Sequence, residues 1–306
     1  MTTETVLGRV IAAFGRHLLV RTPAGLELRA RPFGRSLTIV CGDQVRCRVD
    51  PRLEEVHVIE VLPRRTALYR SNLRGVAEPV VANLTQLLVM LAPLPVPDLF
   101  VVDRYLAAAT AAGLTATLIV NKSDLTIDAA LGAELAVYAQ AGYAAVRASA
   151  ENGAGLDEVR AAIAPDALAA LVGQSGVGKS SLVRRLVPAA AVAVGDLVRE
   201  EEGRHTTTAA RQFDLPNGSA LIDSPGVRDF APAIETLDAR ALGFVEVERL
   251  APGCRFADCR HMREPGCAVI SAVDTGALSA RRYESYRRLR RRYEELTTAR
   301  GPERHR

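Results

Sequence analysis

A run of nine residues past the middle of the chain has the spacing of a phosphate-binding loop. It reads Gly173-Gln174-Ser175-Gly176-Val177-Gly178-Lys179-Ser180-Ser181 and matches G-x-x-x-x-G-K-[ST]. Its glycines allow successive backbone N–H groups to point at phosphate oxygens, and the N-terminus of a following helix favours negative charge. In such a loop Lys179 contacts the β- and γ-phosphates and the Ser180 hydroxyl binds Mg²⁺. We therefore predict a nucleoside triphosphate site here.

An earlier run predicts which base this site binds. Asn121-Lys122-Ser123-Asp124 follows the apolar segment Thr115–Val120. The Asp124 carboxylate can accept hydrogen bonds from guanine N1–H and the 2-amino group, whereas adenine offers neither donor, so GTP is favoured over ATP. After the next apolar segment, Ser149-Ala150 can present a backbone N–H to guanine O6. These six residues form the predicted guanine site.

A third run, Asp223-Ser224-Pro225-Gly226, ends a predicted strand about 45 residues after the phosphate loop. A strand-end aspartate can hold Mg²⁺ through water, so Asp223 is assigned that role. The backbone N–H of Gly226 can face the γ-phosphate. The alternative for this run alone is an ordinary turn.

Between the phosphate loop and Asp223 lies Gly203-Arg204-His205-Thr206-Thr207-Thr208. We favour Thr207 as a second protein ligand of Mg²⁺. Many GTPases orient the attacking water with a glutamine directly after the D-x-x-G glycine, but Val227 occupies that position and cannot do so. We therefore predict that His205 orients the water, with a solvated loop histidine as the alternative.

The order of these motifs predicts a circular permutation, because the guanine-binding run comes before the phosphate loop instead of after it. The lysine count points to the same two runs. Of 39 basic residues only Lys122 and Lys179 are lysines, one in each run. The chain therefore keeps lysine where a compact ammonium is needed and a guanidinium fork would not fit.

Three cysteines and a histidine near the carboxyl terminus have the spacing C-x₄-C-x-H-x₅-C. Three thiolates and one imidazole complete the tetrahedral ligand set of a structural Zn²⁺ site and leave no open position for catalysis. The charged residues between them do not suit an apolar core, which is the alternative. The predicted ligands are Cys254, Cys259, His261 and Cys267.

The elements that must position these residues divide the chain into three predicted domains. Residues 1–65 contain short strand-like segments that predict a five-stranded barrel, most simply an OB-fold. Residues 66–232 alternate strands and helices and predict a parallel α/β sheet, which also contains a two-residue hairpin at Asn217-Gly218. Residues 233–306 predict a small, mainly helical zinc-binding domain. The barrel segments are Leu7–Ile11, Leu18–Val20, Leu26–Ala30, Leu37–Cys41, Gln44–Val49 and Val56–Val61.

A long helix over Ala277–Leu296 carries seven arginines with interleaved tyrosines, a composition suited to RNA phosphates and bases, although a solvated face is the alternative. The predicted barrel either contacts RNA or holds partner proteins, and the pattern alone does not separate the two. No segment has the length or the flanking residues of a membrane span or a signal peptide. The odd count of five cysteines argues for a reducing compartment.

The seven arginines of the predicted long helix are Arg281, Arg282, Arg287, Arg288, Arg290, Arg291 and Arg292.

Taken together, these motifs resemble those of the circularly permuted GTPases of small ribosomal subunit biogenesis, the RsgA (YjeQ) family. The resemblance covers nearly the whole chain, and the strings around His205 and around the cysteines are its most specific parts. It implies an OB-fold, a permuted GTPase domain and a zinc-binding domain. It also implies a weak GTPase that the small ribosomal subunit stimulates and that assists late maturation of that subunit.

The expected partners are the small ribosomal subunit with its rRNA, and GTP or GDP. We expect a cytoplasmic monomer that does not bind membranes. The alternative function is a GTP-regulated RNA-binding module with negligible hydrolysis, and a turnover assay with and without small subunits separates the two.

Overall fold

The computed structural model describes residues 4–34, 37–50, 55–72, 76–187, 210–223 and 232–300. Eleven of its strands join into one continuous sheet, part of which closes into a barrel, and two further strands form a separate hairpin. In this part of the chain, no helix has the length and apolarity needed to cross a membrane.

The amino-terminal strands form the predicted five-stranded barrel. Neighbouring strands follow the order β1-β2-β3-β5-β4, and β4 pairs back onto β1 to close the barrel. All these pairs are antiparallel except β3 with β5. Apolar side chains that alternate along the strands, among them Val10, Leu18 and Val58, fill the interior. The strands are β1 (Glu4–Phe14), β2 (His17–Arg21), β3 (Glu27–Pro32), β4 (Gln44–Asp50) and β5 (Glu55–Val61).

The strand predicted over Leu37–Cys41 is wrong, because this segment ends in a turn held by Asp43. The Asp43 carboxylate accepts the N–H of Val40 at 2.9 Å and two hydrogen bonds from Arg64 at 2.7 and 2.9 Å. The side-chain hydrogen bonds of the aspartate thus replace those of a ladder. Cys41 is fully buried, as is Cys47 in β4.

A hairpin that the sequence did not reveal connects the barrel to the α/β sheet. Its strands are β6 (Ala67–Ser71) and β7 (Ala77–Ala82). β6 also makes an isolated bridge from Arg70 to Pro232, and Ala233 N–H donates to the Tyr69 carbonyl at 2.8 Å. The hairpin therefore holds the chain at Pro232 and Ala233, where the carboxyl-terminal described range begins.

The α/β sheet has the order β10-β9-β8-β11-β13-β12, and all its pairs are parallel except β12 with β13. β8 and β11 are buried at every position, as expected for central parallel strands covered on both faces. The elements are β8 (Gln86–Leu91), α1 (Leu99–Ala111), β9 (Thr115–Val120), α2 (Ala129–Ala141), β10 (Ala144–Arg147), α3 (Leu156–Ala162), β11 (Leu168–Gly173), α4 (Lys179–Leu186), β12 (Ala210–Asp214) and β13 (Ala220–Asp223).

The hairpin predicted at Asn217-Gly218 is present, but its loop is longer than two residues. Asp214 pairs with Ala220, and the Leu215 N–H donates to the Ser219 carbonyl at 2.8 Å. Three residues therefore form the turn, and Gly218 takes the left-handed conformation with φ +79°. The Asn217 side chain supports this three-residue turn, because its oxygen accepts the Ser219 N–H.

The carboxyl-terminal region is helical, as predicted. It contains α5 (Val245–Leu250), α6 (Ala268–Asp274) and the long α7 (Ala280–Arg300). α7 begins three residues later than predicted because Ser279 acts as its N-cap, accepting the Arg282 N–H at 3.4 Å.

A buried ionic network packs α7 against the α/β sheet. Arg282 is 1% exposed and donates to Glu246 at 2.6 and 2.8 Å and to Asp103 at 2.8 Å. Asp103 also accepts hydrogen bonds from Tyr138 at 2.7 Å and from Arg281. The network joins residues from α1, α2, α5 and α7, so these helices are fixed relative to one another.

We expect Arg282→Ala to lower the free energy of unfolding by about 3–5 kcal/mol, because it removes the buried ion pair of Glu246 and leaves Asp103 with Arg281 as its one remaining arginine partner. Arg292→Ala is the matched control on the same helix, since its exposed ion pair with Glu295 contributes about 0–1 kcal/mol. Urea denaturation followed by circular dichroism measures both. Equal midpoints for the two variants would contradict a structural role for the buried pair.

Candidate functional site

The carboxyl ends of the parallel strands meet at one edge of the α/β sheet and bring the predicted nucleotide-site residues together. β9 delivers Asn121, β11 ends at Gly173, and β13 ends at Asp223. Ser149 follows β10 on the same edge. Ligands bind at this edge in open α/β sheets, at the point where the connections that follow two neighbouring strands run to opposite faces of the sheet.

Asn121 joins the guanine-binding run to the phosphate loop. Its side-chain amide donates to the Val177 carbonyl at 2.8 Å and accepts the Ala150 N–H at 3.0 Å. The side chain is 1% exposed, so these hydrogen bonds lie in the interior. One residue thus sets the distance between three motifs that are far apart in sequence.

Glycine is required where the phosphate loop passes Asn121. A Cβ on Gly178 would lie 2.4 Å from Asn121 Nδ2, and Gly178 has φ +96°. A Cβ on Gly173 would lie 2.2 Å from the Met90 carbonyl oxygen. The glycines of the motif therefore serve the packing of the loop as well as its approach to phosphate.

Both lysines of the chain contact the phosphate loop. Lys122 Nζ donates to the carbonyls of Leu94 and Gly176 at 2.8 and 2.9 Å, and Lys122 has φ +57°. Lys179 is 6% exposed, and its Nζ donates to the carbonyls of Gly173 and Gln174 at 2.7 and 2.8 Å. The ammonium of Lys179 is thereby held within the loop that is predicted to surround the phosphates.

Asp124 is oriented by the second guanine motif. The Ser149 hydroxyl donates to Asp124 Oδ1 at 2.5 Å, and Ser149 is fully buried. Arg185 of α4 holds the same region, donating to the carbonyls of Ala150 and Glu151 at 3.0 and 2.7 Å. A carboxylate fixed in this way can accept from two donors on the edge of a planar base.

Sequence analysis missed the segment between β8 and α1, which packs on the phosphate loop. Gln174 Oε1 accepts the Asp98 N–H at 2.9 Å, and a Cβ on Gly176 would lie 3.5 Å from the ring of Pro95. Asp98 is also the N-cap of α1, accepting the Phe100 N–H at 3.0 Å. The prolines of this segment are visible in the sequence, but only the fold shows what they contact.

The predicted site residues within the described ranges lie together at the edge of the sheet. His205, Thr207, Gly226 and Val227 fall outside the described residues. The roles of the first three remain predictions, and so does the inference that Val227 leaves the water to be oriented by another group. The residues brought together are Asn121, Lys122, Ser123, Asp124, Ser149, Ala150, Gly173, Gln174, Ser175, Gly176, Val177, Gly178, Lys179, Ser180, Ser181 and Asp223.

The three cysteines and the histidine form one cluster whose ligand atoms lie within 4.8 Å of one another. His261 Nδ1 is 3.4 Å from both Cys254 Sγ and Cys267 Sγ, and these two sulfurs are 3.8 Å apart. Tetrahedral Zn²⁺ with bonds of about 2.3 Å to sulfur and about 2.0 Å to nitrogen separates two sulfurs by about 3.8 Å and sulfur from nitrogen by roughly 3.5 Å. The four residues, including Cys259, therefore fit a metal ion.

Helix α7 and Glu264 hold the backbone of the metal-binding loop. Tyr283 donates to the His261 carbonyl at 2.8 Å, and Tyr286 donates to the Arg260 carbonyl at 2.9 Å. The Glu264 carboxylate accepts the Met262 N–H at 2.8 Å. Burial alone would raise the pKa of Glu264, but backbone N–H donors lower it to about 2. The cluster is thus built on a preformed loop.

The seven arginines of α7 differ in their surroundings. Arg282 and Arg290 are buried at 1% and 3% exposure, so they are structural and cannot contact RNA as the sequence suggested. Arg281 is paired with Asp103 and Glu134. Arg287, Arg288, Arg291 and Arg292 are more exposed, and each lies within 4 Å of a carboxylate on the same helix.

A groove of about 810 Å³ lies beside β1, β2, β3 and β5 of the barrel. Arg29, Arg31 and His57 line it from the barrel, and Arg211 lines it from β12. The groove also contains two carboxylates. Glu27 pairs with Arg21 at 2.9 Å, and Glu55 lies 3.6 Å from His57. Arg29, Arg31 and Arg211 form no ion pair with any described carboxylate. Their positive charges are therefore not neutralised by these residues, and the groove is basic.

An exposed aromatic ring lies next to this groove. Phe33 is 53% exposed, and the Arg48 guanidinium is 4.6 Å from the centre of its ring. The His57 ring meets Phe33 edge-on with centres 6.1 Å apart. Arginine, histidine and phenylalanine together provide phosphate contacts and a stacking surface, the combination that single-stranded nucleic acid requires.

The family model for the RsgA GTPase matches residues 61–232. Proteins named small ribosomal subunit biogenesis GTPase RsgA are similar over most of this chain. The one from Pseudomonas aeruginosa is 41% identical over 286 residues, which are 92% of this chain and 84% of the relative. The one from Azotobacter vinelandii is 42% identical over 291 residues with the same coverage.

Two solved structures share the fold. YjeQ from Thermotoga maritima superposes with a TM-score of 0.71 at 23% identity, covering 95% of this chain and 99% of that one. YloQ, described as a circularly permuted GTPase, superposes with a TM-score of 0.70 at 23% identity, covering 95% and 96%. These similarities confirm the permuted arrangement of an amino-terminal barrel, a GTPase sheet and a carboxyl-terminal helical region.

Proposed function

The chain belongs to the RsgA GTPase family, and from that premise we propose how its residues carry out GTP hydrolysis in the biogenesis of the small ribosomal subunit. The protein is a GTP hydrolase, as predicted from its motifs. It acts in small-subunit maturation, as its relatives' names state for them.

The contacts of Asn121 carry the assignment of the nucleotide site. One buried amide is bonded to both the phosphate loop and the Ser149-Ala150 segment. A shift of either loop would break a buried hydrogen bond, so the two ends of a bound nucleotide are held at a fixed separation. Asp124, oriented by Ser149, supports guanine as the base.

In the proposed mechanism the protein supplies position and charge, since phosphoryl transfer needs little covalent chemistry from it. Lys179 would contact the β- and γ-phosphates, and Ser180, Thr207 and Asp223 would hold Mg²⁺. The ion neutralises charge on the phosphates when it is bound. Gly226 faces the γ-phosphate, and His205 orients the attacking water.

We also propose that the metal of the cysteine cluster is one structural Zn²⁺. Three thiolates with one imidazole suit zinc, and all four tetrahedral positions are filled by protein. The separations of 3.4 and 3.8 Å between ligand atoms support this choice.

The protein purified without chelator is expected to carry about one Zn²⁺ per chain. Cys259→Ser should lose the metal and unfold the carboxyl-terminal region while GTP affinity stays nearly intact, because the guanine and phosphate motifs lie on a different part of the chain. Cys47→Ser is the matched control, since Cys47 is also buried but lies in the barrel. Metal analysis that finds no zinc in the parent protein would refute the assignment.

We propose rRNA of the small subunit as the partner of the basic surfaces. The barrel groove with its adjoining Phe33 offers phosphate contacts and stacking, and the outer arginines of α7 add positive charge. The protein is proposed to act as a monomer, because its sequence carries every motif assigned to the nucleotide and metal sites. The cytoplasm is the proposed compartment because its proposed partner is the ribosomal subunit.

GTP turnover measured with and without isolated small subunits tests this function. Stimulation by the subunits is expected, and large ribosomal subunits are the control. Co-sedimentation with small subunits should be stronger with a non-hydrolysable GTP analogue than with GDP. Turnover that small subunits leave unchanged would refute the stimulated-GTPase proposal and favour an RNA-binding module for which GTP is only a ligand.

A further inference from the structure

The basic groove of the barrel includes one side chain that belongs to the GTPase sheet. Arg211 lies on β12, whereas Arg29, Arg31, His17 and the other groove residues lie on barrel strands. A strand of RNA bound in this groove would therefore contact both parts of the molecule at once.

Arg211 also lies close in sequence to residues that are proposed to act on the nucleotide. β12 begins at Ala210, three positions after Thr207 and five after His205, the residues proposed to bind Mg²⁺ and to orient water. Arg211 is thus the groove residue nearest in sequence to the proposed catalytic segment.

A short ladder and an ion pair join the barrel to β12 at this point. Ala12 of β1 pairs with Arg211, and Ala13 pairs with Ala210, in an antiparallel ladder. Arg21 of β2 donates to both carboxylate oxygens of Asp214 at 2.9 and 2.7 Å. Burial would raise the pKa of Asp214, but the hydrogen bonds from Arg21 keep it lowered. Since Arg211 lies on β12 and also lines the groove, the position of β12 decides where the Arg211 guanidinium can meet a bound phosphate.

We propose that Arg211 couples RNA binding in the barrel groove to the nucleotide state of the GTPase site. The ligand is a single-stranded RNA segment, whose phosphates meet Arg29, Arg31 and Arg211 and whose bases stack on Phe33. Arg211 is a positioning residue, since it acts through β12 and does not touch the nucleotide. The inference rests on the proposed function for the identity of the partner, but its test uses binding alone.

A fluorescent single-stranded oligoribonucleotide is the probe, titrated into the full chain loaded with GDP or with a non-hydrolysable GTP analogue. Each of Arg211→Gln and Arg29→Gln should weaken binding and reduce the slope of log affinity against log salt by about one, because each removes one phosphate contact. The parent should show a ratio of at least about 5 between the affinities in the two nucleotide states, in line with usual coupling energies.

The ratio separates Arg211 from its matched control. It should fall close to one in Arg211→Gln, persist in Arg29→Gln, and recover in part in Arg211→Lys. A melting temperature equal to that of the parent shows that each variant is folded. A ratio preserved in Arg211→Gln, or absent from the parent, would overturn the coupling. Oligonucleotide binding that neither glutamine variant weakens, or that an acidic peptide abolishes at equal concentration, would overturn the RNA site itself.

These outcomes differ from a failure of the proposed function. Small subunits that do not stimulate turnover would refute that function but leave the two-state affinity ratio intact. Conversely, a stimulated enzyme whose ratio does not respond to Arg211 would keep its function and lose only this inference.

Discussion

Asp124→Asn is expected to weaken GTP binding by roughly 10²-fold or more and to improve binding of xanthosine triphosphate. The carboxylate, oriented by the Ser149 hydroxyl, accepts the N1–H and 2-amino donors of guanine in the proposed site. An amide replaces one of these acceptors with a donor, which suits the 2-oxo group of xanthine. Equilibrium titration with GTP, xanthosine triphosphate and ATP measures the change in preference.

Asp128→Asn is the matched control for this substitution. Asp128 lies four positions away and caps α2, accepting the Leu131 N–H at 2.8 Å. Asparagine caps helices about as well as aspartate, so this variant should bind GTP like the parent. If Asp124→Asn kept the preference of the parent for GTP over ATP, Asp124 would not be the base-reading residue.

His205→Ala should lose most of the turnover that small subunits stimulate, by about 10²-fold. With Val227 at the position where many GTPases have a water-orienting glutamine, unstimulated hydrolysis should be slow, roughly 10⁻⁴ to 10⁻² s⁻¹. Binding to the subunit is then expected to bring His205 to the water. Affinity for GTP and for the subunit should change only a few-fold, since the proposed role involves neither the base nor the β-phosphate.

His205→Gln provides the control, because an amide can orient water and should keep part of the stimulation. Single-turnover hydrolysis with saturating small subunits compares the three proteins without a contribution from product release. If the alanine variant were stimulated as strongly as the parent, the water-orienting group would have to come from elsewhere, such as the ribosome.

The runs assigned to the nucleotide and metal sites could be recognised in the sequence because the residues within each run lie close together. A phosphate loop needs its glycines, Lys179 and Ser180 at fixed positions in one short run. The thiolates of a zinc-binding loop must likewise lie a few residues apart. The permutation was also visible, since it is a statement about the order of such runs.

Contacts between distant segments were not predictable in this way. Arg282 bonds to Asp103 across 179 positions, and nothing in the local pattern of α7 distinguishes it from the exposed Arg292. The apolar run Leu37–Cys41 predicted a strand, but the segment ends in a turn. That turn depends on Asp43 and on Arg64, 21 positions further on, and the local pattern shows neither contact. For the same reason the sequence did not reveal that Arg211 would line the barrel groove.

The ladder between β1 and β12 also affects how the protein can be divided. Without the barrel, β12 would become the edge strand of the GTPase sheet and would expose unpaired backbone N–H and C=O groups. Edge strands of this kind recruit other chains, which leads to aggregation. Since Ala210 and Arg211 are covered by β1, the barrel shields the GTPase sheet from such pairing. A fragment that begins after the barrel would therefore lose solubility although it kept every residue assigned to the nucleotide site.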